Sequence, residues 1–287
     1  GKVCIVTGGG NGIGRSLCEA LASAGASGIY VVDIDIEAAR KVAGILPPLA
    51  TNPDFHVGFG AADVGKEKEI RRVILSAWKM FGSADAYFSN AGIFTIGGVS
   101  EDEVSNEAWE KIWNVNVMSH VFAARHLFPL WKQKNIRGIF VVTGSAAGLL
   151  MQIGCLPYHV TKHAAISIAD WLAVSHHQDG ISVHCICPQA VRTDMLTSSI
   201  AALSPSGKKD IPSGGPAGID GIAEPKDVAT ATIKGIDDGV FLILPHPRVQ
   251  TYFVRKATDY DRWIKGMRKV KTHFDELTSP LPPQSKL

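Results

Sequence analysis

The sequence lacks the features that define several broad classes of protein. Its five cysteines form an odd count without disulfide or metal-ligand spacing, so we expect reduced thiols in an intracellular protein and no metal. No apolar run approaches the roughly 18 residues of a transmembrane helix, and we expect neither a membrane span nor a signal peptide. The net charge of +2, with Lys and Arg spread along the chain, does not indicate a nucleic-acid partner.

The 287 residues, 46% of them hydrophobic, are enough for one large core. Short apolar runs alternate with longer amphipathic segments, which predicts an α/β fold with a doubly wound parallel sheet of seven strands. We predict a single domain over residues 1–245, followed by a C-terminal helix and flexible tail over 246–287. The predicted strands are residues 3–6, 28–32, 55–60, 85–89, 138–143, 181–187 and 240–244. Residues 107–133 and 248–271 are each predicted to form one long helix, whereas 191–224 carries few structural signals and is predicted to be a variable loop.

A glycine-rich turn follows the first predicted strand and opens a helix. Glycines in this turn let a pyrophosphate approach backbone N–H groups at a helix N-terminus. The turn contains Gly8, Asn11, Gly12, Ile13 and Gly14. Asp33 ends the second strand, where a carboxylate can accept hydrogen bonds from ribose hydroxyls and repel a 2′-phosphate. This pattern predicts binding of NAD(H) rather than NADP(H).

Tyr158 and Lys162 stand one helical turn apart on the same predicted helix face. A nearby ammonium group favours the phenolate, so we expect Lys162 to lower the pKa of Tyr158. Such a phenol suits proton transfer to or from a carbonyl or alcohol oxygen. The spacing alone is weak, since Tyr and Lys meet this way by chance in many helices.

Taken in order, several motifs resemble the signature series of the short-chain dehydrogenase/reductase family in its single-domain, Rossmann-fold form. The resemblance covers about residues 2 to 245. The matching motifs are Thr7-Gly8-x-x-x-Gly12-Ile13-Gly14, Asn90-Ala91-Gly92, Ser145 and Tyr158-x-x-x-Lys162. The resemblance implies that the chain is an NAD-dependent enzyme acting on CH–OH and C=O groups.

The resemblance also implies roles for individual residues. Tyr158 would be the general acid/base, Lys162 would lower its pKa and hold the nicotinamide ribose, and Ser145 would orient the substrate oxygen. Asn116 would anchor a water that leads to Lys162, although neighbouring Asn114 competes for this match and a helix-bending structural role stays open.

Further positions resemble cofactor contacts of the family. Asp63 and Val64 would lie beside the adenine ring, and Asn90, Ala91 and Gly92 under the adenosine. Pro188 and Thr193 would wrap the nicotinamide. The family's Pro-Gly is here Pro188-Gln189, which leaves the path of this loop open.

The substrate is less defined by the sequence. The apolar residues 148–156, together with Ile93 and Phe94, predict a pocket for a lipid-derived or aromatic secondary alcohol or ketone. In broad pattern the chain resembles 15-hydroxyprostaglandin dehydrogenase-like members, which oxidise hydroxylated fatty acids. Two alternatives stay open: formation of an aldehyde from an acyl- or aroyl-CoA with a partner subunit, as in plant benzaldehyde synthase, and a non-catalytic nucleotide-binding scaffold.

The last three residues, Ser285, Lys286 and Leu287, match a peroxisomal address that an import receptor reads. We therefore expect a peroxisomal protein. By resemblance we also expect a homodimer or homotetramer, with a hetero-oligomer as the alternative.

Overall fold

The computed structural model describes residues 1–100, 102–203, 218 and 220–278 of the chain. The tail predicted to be flexible, apart from Thr278, and the terminal tripeptide at 285–287 lie outside the described residues. Within the described part, no helix combines the length and apolar character needed to cross a bilayer.

Seven parallel strands form one sheet in the order β3-β2-β1-β4-β5-β6-β7, which confirms the predicted fold class. Parallel strands need crossover connections, and helices on both faces supply them. The strands are β1 (Val3–Thr7), β2 (Gly28–Asp33), β3 (His56–Ala61), β4 (Ala86–Ser89), β5 (Ile139–Thr143), β6 (Ser182–Ile186) and β7 (Leu242–Ile243).

The α-helices of the described part follow the strands in a regular alternation as far as the last strand. They are α1 (Gly12–Ser23), α2 (Ile36–Ile45), α3 (Glu67–Phe81), α4 (Asn106–Trp113), α5 (Ser119–Lys134), α6 (Ala146–Leu149), α7 (Leu156–His176), α8 (Asp194–Leu203), α9 (Pro225–Asp237), α10 (Arg248–Thr258) and α11 (Tyr260–Thr278). A π-helical segment, Asn114–Met118, joins α4 to α5, so the helix predicted over 107–133 is interrupted.

Two hydrophobic layers cover the sheet, one on each face. Side chains alternate across a strand, so Ile5 packs in the layer with α3, α5 and α7, whereas Cys4 and Val6 pack in the layer with α1, α2 and α9. The last two helices join the first layer through Val249, which is fully buried, and Trp263. The carboxyl ends of the strands meet at one edge between these layers, where parallel α/β sheets place their ligands.

Two sequence predictions were wrong about the C-terminal third. The segment predicted to be a loop over 191–224 contains α8, whose Ser and Thr residues give a weak helical signal. The single helix predicted over 248–271 is two helices that break at Asp259. Asp259 is extended (φ −145°, ψ 88°), and its carboxylate accepts a hydrogen bond from the Arg262 N–H (2.9 Å), which caps α11.

Candidate active site

A cavity of about 1110 Å³ lies above the carboxyl ends of the strands. Most of the residues predicted from the sequence line it together: Gly8, Asn11, Gly12, Ile13, Gly14, Asp33, Asn90, Ala91, Gly92, Ser145, Tyr158, Lys162, Pro188 and Thr193. The topology explains this convergence, because each of these residues ends or follows a strand or begins the next helix. The exceptions are Asp63, Val64 and Asn116.

The glycine turn brings backbone unusually close to backbone. Gly12 has a left-handed φ of +52°, and a Cβ placed on Gly14 would lie 2.0 Å from the Gly8 carbonyl oxygen. A side chain at Gly14 would therefore force the turn open. The side chain of Asn11, at the N-cap of α1, makes no capping hydrogen bond, and the first turn of this helix contains no acidic residue. This helix N-terminus suits an anionic group such as a pyrophosphate.

The Asp33 carboxylate is held at the rim of the cavity by two backbone donors. It accepts hydrogen bonds from the Gly10 N–H (2.9 Å) and the Asp35 N–H (3.1 Å). The residue after it, Ile34, is exposed and apolar, so no cation stands beside the carboxylate in sequence. A fixed carboxylate here can accept from ribose hydroxyls and disfavours a phosphate.

A hydrogen-bond network that the sequence did not indicate joins the ends of β1, β4 and β5. The Thr7 hydroxyl accepts from the backbone N–H groups of Asn90 (3.0 Å) and Ala91 (3.2 Å). The Asn90 amide donates to the Thr7 carbonyl (3.0 Å) and accepts from the Thr143 hydroxyl (3.1 Å). Asn90 thus connects the ends of these strands beneath the cavity and also lines the cavity.

Asp63 and Val64 follow β3, beyond Asp33, and do not line the cavity. Val64 is buried in the hydrophobic core. The Asp63 carboxylate accepts from the Gly65 N–H (3.0 Å) and pairs with Lys66 (3.3 Å). Their predicted position beside an adenine ring therefore stays a prediction.

Ser145, Tyr158 and Lys162 converge on the other half of the cavity. Ser145 is the N-cap of α6, where its hydroxyl accepts from the Ala147 N–H (3.1 Å). Tyr158 lies in the first turn of α7, and its ring packs on Phe94 with centroids 4.8 Å apart. Lys162 is buried one turn later, with its Nζ 5.6 Å from the centre of the Tyr158 ring.

The pKa values of this group differ from the sequence expectation. Burial raises the pKa of the Tyr158 phenol above its ordinary value, and a hydrogen bond with Ser145 opposes this effect without overcoming it. The pKa of Tyr158 is therefore raised in this arrangement and not lowered as expected, and the predicted contribution of Lys162 stays a prediction. The Lys162 ammonium donates instead to the Thr143 carbonyl (2.8 Å), and burial lowers its own pKa to about 8.

Asn116 lies behind the cavity, fully buried in the π-helical segment between α4 and α5. Its side-chain oxygen accepts from the Ile93 N–H (2.8 Å), and its amide donates to the Ile93 carbonyl (2.9 Å) and the Thr161 hydroxyl (3.2 Å). These bonds connect the segment that follows β4 to α7. The geometry therefore supports the structural alternative for Asn116, while the predicted water contact stays a prediction.

The structure explains why Gln189 can stand where the family has a glycine after Pro188. Among the described residues only Asn135 combines a side chain with a positive φ, so Gln189 does not occupy a conformation that requires glycine. Its N–H donates to Nδ1 of His246 (3.1 Å), and Nε2 of the same ring bonds the Ala190 carbonyl (3.2 Å). His246 is thus neutral with its proton on Nε2, and burial lowers its pKa. No local sequence pattern indicates that His246 supports this loop.

The C-terminal helices form the outer wall of the cavity. The Lys256 ammonium donates to the carbonyls of Leu149 and Leu150, both at 2.8 Å, which pins α10 to the segment that follows Ser145. Tyr252, Trp263 and Met267 line the same cavity. No local sequence pattern links Lys256 to residues about a hundred positions earlier.

This geometry defines a dinucleotide-type cleft beside a serine, tyrosine and lysine group. Residues 2–203 match the family model described as short chain dehydrogenase. A relative from Penicillium roqueforti, "Short-chain dehydrogenase anuF", is 29% identical, covering 73% of this chain and 79% of its own length. The "2,5-dichloro-2,5-cyclohexadiene-1,4-diol dehydrogenase" of Sphingobium indicum is 31% identical, covering 68% and 75%.

A solved structure extends the similarity over most of the chain. The crystal structure of a short chain dehydrogenase/reductase from Burkholderia phymatum in complex with NAD has a TM-score of 0.78 and 26% identity, covering 91% of this chain and 94% of that one. The chain belongs to the short-chain dehydrogenase/reductase family, and it is an oxidoreductase of the dehydrogenase/reductase class.

Proposed function

We propose that the protein is an NAD(H)-dependent enzyme that interconverts a secondary alcohol and a ketone on an apolar substrate. The observation that carries this proposal is the convergence of Ser145, Tyr158 and Lys162 with the glycine turn and Asp33 in one cavity. A non-catalytic scaffold would not need a phenol, a buried hydroxyl and a buried ammonium converging beside a nucleotide cleft.

The residues of the cleft fit a nicotinamide dinucleotide. The uncapped first turn of α1 suits the pyrophosphate, and Asp33 suits the unphosphorylated adenosine ribose. The relative from Burkholderia phymatum was solved with NAD, which supports the same choice. When bound, the nicotinamide would supply the hydride acceptor or donor, and Pro188 and Thr193 would border it.

Tyr158 would move the proton at the reacting oxygen, and Ser145 would orient that oxygen by a hydrogen bond. Because burial raises the tyrosine pKa, the phenol is protonated at neutral pH and suited to donate a proton to a ketone. Loss of that proton, which alcohol oxidation requires, is favoured at alkaline pH. Lys162 holds a positive charge close behind the phenol, with Thr143 fixing its ammonium.

The lining of the inner cavity supports the proposed substrate class. Phe94, Leu150, Met151 and Ile153 surround the approach to Tyr158, and an apolar body would displace water from them. The relative from Sphingobium indicum is named for a cyclic diol, which supports a secondary alcohol. We favour a lipid-derived or aromatic substrate, with hydroxylated fatty acids, the substrates of 15-hydroxyprostaglandin dehydrogenase-like members, as the first class to test.

The test follows NADH at 340 nm with purified protein and a panel of hydroxy fatty acids, aromatic alcohols, 3-hydroxyacyl-CoAs and aroyl-CoAs, with NAD and NADP in parallel. We expect turnover with NAD on an apolar secondary alcohol, rising with pH. In Tyr158→Phe we expect kcat to fall by about 10³-fold while NADH binding is kept.

Other outcomes of this assay are equally informative. Turnover only with NADPH would contradict the proposed role of Asp33 and favour aldehyde formation from a CoA thioester. Unchanged turnover in Tyr158→Phe would exclude the phenol as the acid/base. NADH binding without turnover on the whole panel would favour the scaffold.

We also propose that two copies of the chain associate through α5 and α7. These helices border an apolar groove that includes Phe128 and Leu172, beside Trp171, whose side chain is 65% exposed. Burial of such a surface against its symmetry mate would remove it from water. Sedimentation equilibrium checks this: a dimer or tetramer is expected, and a monomer at all concentrations would contradict it.

Peroxisomal import through Ser285, Lys286 and Leu287 remains part of the proposal. A fluorescent protein fused ahead of the chain should colocalise with a peroxisomal marker and should become diffuse when Leu287 is removed. An unchanged distribution would exclude this address.

A further inference from the structure

The outer wall of the cavity contains two arginines, Arg255 on α10 and Arg262 on α11. Both belong to helices beyond residues 2–203, the part matched by the family model. They therefore lie outside the segment that the family model matches.

Neither guanidinium forms an ion pair within the described part of the chain, in contrast to most other arginines. The arginines that pair with a carboxylate are Arg15, Arg40, Arg72, Arg125, Arg192 and Arg248. An unpaired guanidinium beside a cavity keeps its fork of donors free for a carboxylate or phosphate.

Within the described part of the chain, the carboxylates that line the cavity form no ion pair with either guanidinium. Asp259 uses an oxygen to accept from the Arg262 N–H (2.9 Å) and caps α11. Asp33 accepts from two N–H groups on the nucleotide side, and Asp194 lies in the first turn of α8, where the helix dipole favours a negative charge. The remaining cation, Lys162, is buried and bonded to Thr143.

An apolar stripe lies beside the two arginines. On α11, Arg262, Gly266, Met267 and Val270 all line the cavity, at the spacing that places residues on one helix face. Lys256 fixes α10 against Leu149 and Leu150, so this wall is held next to the segment that follows Ser145. A ligand on it would meet hydrocarbon along its body and a cation at its end.

We propose that Arg255 and Arg262 bind the anionic end group of an elongated apolar substrate whose alcohol or ketone carbon is presented to Tyr158. The inference rests on the proposed function and narrows its substrate class to amphiphiles with a terminal carboxylate or phosphate. The same donors fit a free fatty-acid carboxylate and the phosphate of a thioester carrier, so the experiment separates these two sources.

The experiment measures binding of unreactive probes to the NADH-loaded protein by isothermal titration calorimetry. The probes are dodecanoate, dodecyl phosphate and methyl dodecanoate, the last of which has the same chain without the charge. Variants are Arg255→Gln, Arg262→Gln and the double variant. The matched control is Arg268→Gln, since Arg268 is an exposed arginine of α11 that does not line the cavity.

We expect an anionic probe to bind at least about tenfold more tightly than the methyl ester, with the preference decreasing at high salt. Each cavity arginine variant should lose about tenfold in affinity for the anion and keep its affinity for the ester and for NADH. Preference for dodecanoate over dodecyl phosphate assigns a free carboxylic acid, and the reverse assigns a phosphorylated carrier.

Three results would overturn the inference: equal binding of anion and ester, an equal loss for all probes in the variants, or weakened NADH binding, which would assign the arginines to the cofactor. Loss of anion binding in Arg268→Gln would show a general charge effect and would also overturn it. Because binding is read without turnover, failure of the proposed function appears separately, as absent turnover with the anion preference retained.

Discussion

The nucleotide side and the substrate side of the cavity are built in different ways. On the nucleotide side, close backbone contacts hold the glycine turn, as in the contact between Gly14 and the Gly8 carbonyl. On the substrate side, the single side chain of Lys256 joins α10 to Leu149 and Leu150, about a hundred positions earlier in the sequence.

This difference separates two requirements of one enzyme. A cofactor shared across a family needs the same backbone cradle, which tolerates little change because its atoms are in contact. A substrate wall held by a few long side chains can be altered by substitution without disturbing the sheet. Three variants probe this comparison, from the largest expected effect to the smallest.

Gly14→Ala should disrupt the glycine turn on the nucleotide side of the cavity. The new Cβ would meet the Gly8 carbonyl oxygen at 2.0 Å, so the turn must open, and we expect a loss of about 3 kcal/mol in stability together with most NADH binding. Gly44→Ala is the matched control, because a Cβ there has no neighbour within 4 Å and Gly44 lies within α2. The control should be neutral or stabilised by about 0.5–1 kcal/mol. Thermal melts and NADH titration check both, and equal behaviour of the pair would contradict the close-contact argument.

Lys162→Met should reveal how a buried cation behind Tyr158 makes the free energy of unfolding depend on pH. Burial lowers the pKa of Lys162 from 10.5 to about 8, so the unfolded chain binds more protons than the folded protein between these values. As the pH rises from about 8 to 10.5, the free energy of unfolding of the wild type should therefore increase relative to that of the variant, by about 3 kcal/mol in total. Below pH 8 both states are protonated and the difference should be constant. Urea unfolding of both proteins across this pH range checks this prediction. If the free energies of unfolding of the two proteins change in parallel with pH, burial does not lower the pKa of Lys162.

Lys256→Met should loosen the substrate side alone. It removes two hydrogen bonds to the carbonyls of Leu149 and Leu150 while keeping the length of the side chain. Because the ammonium is partly exposed, we expect a loss of about 1 kcal/mol in stability and a severalfold rise in substrate KM, with the NADH Kd unchanged. Lys265→Met, at an exposed position of α11, is the control and should change neither. A weaker NADH Kd in Lys256→Met would show that the two sides are coupled.

The same division explains how much the sequence could predict. The glycine turn, Asp33 and the Tyr158–Lys162 pair were predictable because each depends on local spacing, at a strand end or along one helix face, and the fold brings them into one cavity. The seven-stranded sheet was predictable because buried parallel strands appear as short apolar runs separated by helices.

The remaining features depend on contacts between distant segments. The break at Asp259 requires its carboxylate to cap α11, the shift in the pKa of Tyr158 depends on burial that only the folded core creates, and the bond from Lys162 to Thr143 competes with the expected effect on the phenol. No local sequence pattern indicates these contacts or this burial.

The position of α10 and α11 also has a consequence for biosynthesis. The ribosome makes the chain from the N-terminus at about 5–20 residues per second, so the glycine turn, Ser145 and Tyr158 emerge well before Lys256 and the arginines of the outer wall. A nascent chain thus contains the proposed reactive groups for some seconds before the outer wall of the cavity is made. If this wall binds the substrate as we propose, translation completes the substrate side of the cavity after the nucleotide side.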